Sequence, residues 1–233
     1  MGTYRLESSI LCRSHLGRPV EILHRVGTAG QNAGAVKVLL VAAMHGDEPE
    51  GIYLMDHFLA HGFAQVPSSV DLYVIPRLNP DGVAAHTRVN GRGVDLNRNF
   101  PTADWSEQAR ADRYNPGDVA GSEIETQALM AWLGSEKPHF LINFHSWNPM
   151  VNYNGDCLDL AETMSRYNGC PVTSDMGYPT PGSSGTWFWE ALGIPSITLE
   201  IQEGSTREQV ESSGHPESLL RVLEAAAIKF VDS

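Results

Sequence analysis

His45-Gly46-Asp47-Glu48 sets an imidazole and a carboxylate side by side directly after the apolar run Val36-Lys37-Val38-Leu39-Leu40-Val41-Ala42-Ala43. A buried strand ending in His-x-x-Glu delivers both groups to a sheet's C-terminal edge, where open α/β sheets bind ligands. His and Glu are both good zinc ligands, and a catalytic zinc takes three protein ligands and keeps one position open. The best third candidate is His145, which closes a second apolar strand, Phe140-Leu141-Ile142-Asn143-Phe144-His145. A bland reading competes: His45 hydrogen-bonds locally, and Asp47 and Glu48 favour the positive end of the following helix. Glu200 is harder to dismiss. It follows the mostly apolar stretch Ile194-Pro195-Ser196-Ile197-Thr198-Leu199, where a carboxylate is unfavourable unless it is paired or used in chemistry.

Arg88-Val89-Asn90-Gly91-Arg92-Gly93-Val94-Asp95-Leu96-Asn97-Arg98-Asn99-Phe100 concentrates Arg88, Arg92 and Arg98 in a chain of net charge −12. Guanidinium groups suit planar, bidentate binding of a carboxylate. Asn97 beside Arg98 offers two kinds of donor to the same anion. A solvated surface loop is the ordinary alternative for such a stretch.

These side chains need strands to carry them. Val20–His24, Val36–Ala43, Asp71–Ile75, Phe140–His145 and Ile194–Ile201 read as strands, Pro49–Ala60 as the helix after His45, and Asn79-Pro80-Asp81-Gly82 as a turn. Residues 101–121 read as a long polar loop. Ser122 with Glu125 forms a capping-box pattern opening a helix over Thr126–Gly134, and Pro216–Val231 a closing amphipathic helix. The alternation predicts an α/β fold: a single-domain α/β/α sandwich over residues 1–233, with a mixed twisted sheet of about eight strands and helices on both faces.

The 233 residues, 42% of them hydrophobic and 19% charged, suffice for one full core. The acidic balance argues against nucleic-acid binding, since phosphates require basic patches. No apolar stretch is long enough to span a bilayer, and no basic-then-apolar leader opens the chain. Cys12, Cys157 and Cys170 read as free thiols of a reducing compartment. The expected location is therefore the cytoplasm, with no nucleic-acid or membrane partner; oligomeric state is not readable.

Taken together, His45-x-x-Glu48, Asn79-Pro80-Asp81-Gly82, Gly93-Val94-Asp95-Leu96-Asn97-Arg98-Asn99-Phe100, His145 and Glu200 resemble, in order and spacing, the zinc carboxypeptidases of the carboxypeptidase A type. The resemblance runs from about Leu39 to Ile201. It is nearest to a branch of that family that acts as amidases on murein peptides, through Gly93–Pro101, Gly121-Ser122-Glu123, Glu125–Leu129, Gly177-Tyr178 and Thr180–Ser183. The resemblance implies one zinc ion per chain, held by His45, Glu48 and His145. It implies Glu200 as the general base, which takes a proton from the attacking water and passes it to the leaving amine, and Arg88 as the group polarising the scissile carbonyl. Asn97 and Arg98 would grip the substrate's free C-terminal carboxylate, and Tyr178, at the family's spacing from Trp187, would cap it. The implied reaction is release of a C-terminal residue, diaminopimelate from L-Ala-γ-D-Glu-meso-diaminopimelate. The alternatives are a zinc carboxypeptidase acting on ordinary peptides, an aspartoacylase-like deacylase of N-acyl amino acids, and a peptide-binding module without catalysis. Gly185, at the position that sets side-chain preference in digestive members, is expected to leave room. Glu203, Asp156 and Arg92 are possible partners for the two charges at diaminopimelate's far end. Trp187 and Trp189 could line the pocket or pack in the core.

Overall fold

Val36–Val41 is apolar apart from Lys37 and rich in β-branched residues, the composition of a strand covered on both faces. In the structure, a computed structural model describing residues 4–27 and 34–231, it is indeed central. Strands β1 (Tyr4–Arg13), β2 (Pro19–Gly27), β3 (Val36–Val41), β4 (Val70–Ile75), β5 (Phe140–Trp147), β6 (Met150–Asn154), β7 (Val172–Thr173) and β8 (Ser196–Gln202) form one sheet in the order β1-β2-β4-β3-β5-β8-β6-β7. The four middle strands are parallel, and antiparallel pairings at β2–β4 and β8–β6 make the sheet mixed.

Helices α1 (Pro49–His57), α2 (Pro80–Ala85), α3 (Ile124–Glu136), α4 (Leu158–Asn168), α5 (Ser184–Leu192), α6 (Arg207–Glu211) and α7 (His215–Lys229) complete the order. Side-chain alternation along each strand sorts the core into two layers. Val38, Leu40, Ile142, Phe144, Ile197 and Leu199 pack with α1, α4 and α7 through Leu54, Leu160 and Val222. Leu39, Val41 and Leu141 face the other way, against Leu129 and Leu133 of α3 and Phe188 of α5. The predicted α/β/α sandwich is what forms, with helices on both faces of eight strands.

Local expectations fail where side chains find partners other than the expected ones. Asn79-Pro80-Asp81-Gly82 starts helix α2 instead of making a free turn: the Asn79 side chain accepts from Gly82 N at 2.8 Å and Pro80 takes the first turn, so one set of residues serves as turn signal and helix start alike. The capping box at Ser122 and Glu125 does not form. Ser122 Oγ donates to Glu123 Oε1 at 2.7 Å, Glu125 accepts from Asn90 Nδ2 at 3.3 Å, and α3 begins at Ile124 without a side-chain cap. β1, β6, α4 and α5 were not anticipated. The helix after Glu48 leaves α geometry at Phe58, where a π turn runs to Gly62. No described helix is long and apolar enough to cross a membrane.

His215 opens α7 at 8% exposure, its Nδ1 without a hydrogen-bond partner among the described residues. Burial pushes its pKa down to about 4. The unfolded chain therefore binds a proton that the folded chain refuses between pH 6.5 and about 4, and the folded state loses stability as pH falls through that window. Urea unfolding should show a decline of up to about 3 kcal/mol across it. A His215→Gln variant should show a shallower decline over the same range.

Candidate metal centre and its cavity

β3 and β5 are adjacent and parallel, and β8 lies on the other side of β5. That order brings the chemical candidates together. The chain leaves β3 through Ala43, whose φ is +53°, a strained conformation for a residue with a Cβ. It then turns over α2 so that His45 and Glu48 stand beside His145. A Cβ on Gly46 would lie 1.9 Å from the Gly82 carbonyl carbon, so these two backbones touch only because neither residue carries a side chain. His145 lies inside β5, not at its tip, and is the direct sheet partner of Glu200.

His45 Nδ1 sits 2.7 Å from Glu48 Oε1, and His145 Nδ1 is 2.9 Å from Glu48 Oε2 and 3.1 Å from His45 Nδ1. Among the described residues these three form the one cluster of convergent His and carboxylate donor atoms. The His45 tautomer follows from its other nitrogen, which lies 3.0 Å from Asp95 Oδ1. With Nε2–H donating to that carboxylate, Nδ1 carries a lone pair aimed at Glu48 and His145. Two ring nitrogens and a carboxylate aimed at one point, with a carboxylate orienting one imidazole from behind, form the donor set and outer shell of a zinc site. The residues fit the metal. Ser146 N donates to Glu48 Oε2 at 3.1 Å and fixes that carboxylate. Burial opposes charge on Glu48, yet His45 and His145 hold its carboxyl well below the usual range.

Asp95 is fully buried. Its Oδ1 meets His45 and accepts from Asn97 N at 2.9 Å, while Oδ2 accepts from Arg88 Nε at 2.8 Å. Burial pushes this carboxyl up, and His45, Arg88 and Arg98 more than reverse the effect, so it stays ionised. Arg88 also donates to Glu48 Oε1 at 3.1 Å. Glu200 is different. Burial comes first and outweighs its neighbours His145 and Arg88, and its carboxyl is pushed up to about 7.

His45, Glu48, Arg88, His145 and Glu200 line a cavity of about 520 Å³. His45, Glu48 and His145 form one part of it. Asn97, Arg98 and Tyr178 line it as well, so the expected metal ligands, the expected base and the expected carboxylate-binding groups are gathered there. Tyr178 stands edge-on to Trp147, 5.1 Å between ring centres. The supporting residues sort differently from expectation. Glu203 lines the cavity, but Arg92 pairs with Asp118 at 3.0 Å, and Asp156 is an exposed neighbour of Lys229. Trp187 packs on Phe100 and Phe188, while Trp189 lies against Gly155 and stays exposed, so neither tryptophan lines the cavity. Gly185 lines the cavity as expected, with the Asn154 amide beside it: a Cβ there would lie 2.7 Å from Asn154 Oδ1.

Several residues of the site and of its lining were missed from sequence. Asp95 lay inside a segment already singled out, and its place between Val94 and Leu96 was the available signal. Asn152, Asn154 and Thr198 line the cavity from β6 and β8. The alternation Ser196-Ile197-Thr198-Leu199-Glu200-Ile201 carried that information, since one face of the strand is polar throughout. Arg110, Arg113 and Tyr114 reach the cavity from the loop over residues 101–121, and nothing in that loop's sequence announced it. Arg88, Arg98 and Arg113 all lie within 5.7 Å of the Tyr114 ring centre. An acidic protein thus keeps a local cationic wall.

The chain is 33% identical over 216 residues to murein peptide amidase A of Escherichia coli, covering 85% of this chain and 83% of that protein. The crystal structure of the murein-tripeptide amidase of Escherichia coli O157 superposes with a TM-score of 0.71 at 27% identity, over 98% of this chain and 93% of that one. Carboxypeptidase A of Helicoverpa armigera shares the fold, with a TM-score of 0.83 at 18% identity over 98% of this chain and 70% of that one. The zinc carboxypeptidase family model matches residues 5–168. The chain belongs to the zinc carboxypeptidase family.

Proposed function

We propose that this chain is a zinc-dependent amidase that removes diaminopimelate from the murein tripeptide L-alanyl-γ-D-glutamyl-meso-diaminopimelate. The observation that carries the reading is a His-Glu-His cluster sharing one cavity with Arg88, Arg98, Arg110 and Arg113. A peptide ending in a carboxylate is the ligand such a pairing suits. The likeness to murein peptide amidase A over most of both chains supports the choice of substrate.

The wall beyond the carboxylate-binding groups is polar. Asn152 and Thr198 are sheet partners, Asn154 follows on the same face of β6, and all three line the cavity. The side chains of Asn154 and Thr198 make no hydrogen bond within the described protein and remain available to a ligand. Asp175 and Glu203 add negative charge to a lining that also holds Arg110 and Arg113. Diaminopimelate ends in an ammonium and a carboxylate, and a lining with both signs of charge matches it. A digestive-type carboxypeptidase for apolar C-terminal residues would meet unpaired amides and hydroxyls there. Tyr178 at the cavity edge disfavours an aspartoacylase-like deacylase, because those enzymes lack the tyrosine-to-tryptophan segment.

His45, Glu48 and His145 would hold one zinc ion, which when bound would supply Lewis acidity and make water a competent nucleophile near neutral pH. Asn97 and Arg98 take the substrate's terminal carboxylate and Tyr178 covers it. Arg88 faces the scissile carbonyl oxygen as negative charge builds on it, a contribution of about 3 kcal/mol for one such donor. Glu200 accepts the proton of the attacking water and returns it to the departing amine. Asp95 positions His45 and Arg88 together. The catalytic unit spans residues 1–233 and works in the cytoplasm, a reading that suits its three free cysteines.

Glu200→Gln should keep its zinc, measured by metal analysis, and lose turnover by about 10³-fold; zinc loss at intact fold would instead make Glu200 a ligand. Asp95→Asn should weaken zinc binding by about 10- to 100-fold, read by chelator competition. A mass-spectrometric assay on the diaminopimelate tripeptide, its lysine counterpart and ordinary L-peptides should rank the first highest. Preference for ordinary L-peptides would sink the murein assignment and leave the zinc mechanism standing.

A further inference from the structure

A side-chain amide offers opposite chemistry at its two ends, and a half-turn about its last bond exchanges them. For Asn97 this choice decides whether an NH₂ or a carbonyl oxygen meets an anion in the cavity. Its Oδ1 accepts from Ser184 N at 2.8 Å and from Ser184 Oγ at 2.9 Å. A main-chain N–H cannot donate to an NH₂, so the atom facing Ser184 must be the oxygen. Nδ2 has no protein partner among the described residues, and Asn97 lines the cavity. Ser184 is the first residue of α5, so its N–H is one of the donors a helix leaves unpaired. The positive end of that helix draws electron density toward Oδ1 and makes the NH₂ a better donor.

A further residue lies behind Ser184. Asn143 Nδ2 donates to Ser184 Oγ at 3.1 Å, so the hydroxyl accepts from Asn143 and sends its own proton to Asn97. Asn143 and Ser184 are each 1% exposed, and Asn143 Oδ1 has no partner among the described residues. A buried amide with one end unsatisfied, in the middle of a parallel sheet, is unfavourable by itself. Its counterparts on β3 and one residue pair earlier on β5, Val41 and Leu141, are apolar.

We propose that Ser184, supported by Asn143, is a positioning residue that locks the Asn97 amide with its NH₂ toward the substrate's terminal carboxylate. The proposal rests on the reading of Asn97 as a carboxylate-binding residue. Without the hydroxyl, one donor instead of two restrains the amide. The flipped form, which sets a carbonyl oxygen against the carboxylate, then becomes accessible, whereas a neutral carboxamide terminus tolerates either form.

The test uses zinc-loaded protein carrying Glu200→Gln, and calorimetric dissociation constants for ligands with a free terminal carboxylate and for their carboxamides. The ligand pairs are the murein tripeptide and an ordinary L-peptide, run in parallel. In the parent the carboxylate binds more tightly. Adding Ser184→Ala should shrink the carboxylate-to-carboxamide ratio about fivefold, the weight of one neutral hydrogen bond. Asn143→Ala, which leaves the hydroxyl in place, should shrink it less, and it carries the test if Ser184→Ala fails to fold. An unchanged ratio in Ser184→Ala, or equal weakening of both ligands, overturns the proposal when Asn97→Ala collapses the ratio. An unchanged ratio in Asn97→Ala removes the carboxylate-binding reading and the proposal together. If the tripeptide pair does not bind at all, the murein substrate is wrong, and the L-peptide pair still decides the role of Ser184.

Discussion

One buried carboxylate joins the parts of this site. Asp95 meets His45, Arg88 and the main chain of Asn97 at once, so a metal-facing imidazole, a guanidinium and the start of the anion-binding segment share one anchor. An ionised carboxylate out of water is tolerated only with charged partners and filled lone pairs. Removing a partner would leave charge uncompensated in a dry interior, so the contacts stand or fall as a group. Glu48 bridges the same assembly from the other side, between both histidines and Arg88.

The sheet supplies the second constraint. β5 and β8 run in parallel register with His145 opposite Glu200 and Asn143 opposite Thr198. Residues at alternate positions share a face, so Asn143, His145, Thr198 and Glu200 fall on one side and the core residues Phe144, Ile142, Leu199 and Ile197 on the other. One register thereby builds a hydrophobic layer and a chemical surface from the same strands. A slip of β8 by one residue would turn the Glu200 carboxylate into the hydrophobic layer and aim Ile197, Leu199 and Ile201 into the cavity.

The loop over residues 101–121 contributes through charge. Arg110 and Arg113 stand with Arg88 and Arg98 around the cavity of a protein with net charge −12. Field lines in a cleft follow its local charges more than the molecular total. An overall acidic composition is therefore compatible with an anionic ligand.

What the sequence determined by itself was the set of chemical groups and the fold class. His45, Glu48, His145 and Glu200 stood out because polar groups beside apolar strands need a reason, and the apolar patterns of Val36–Ala43, Phe140–His145 and Ile194–Ile201 called for a covered sheet. Asn97 and Arg98 were legible as donors for an anion from their chemistry, and Tyr178 only through the family resemblance. Tertiary structure alone decided which carboxylates touch which cations, because side-chain partners in a fold are set by packing across distant segments. It sent Arg92 to Asp118, gave the Glu125 carboxylate to Asn90 instead of a helix cap, drew Asp95 under His45, and set the Asn154 amide beside Gly185. Periodicity reports the face a residue occupies. Only the closed fold settles what waits on the other side of that face.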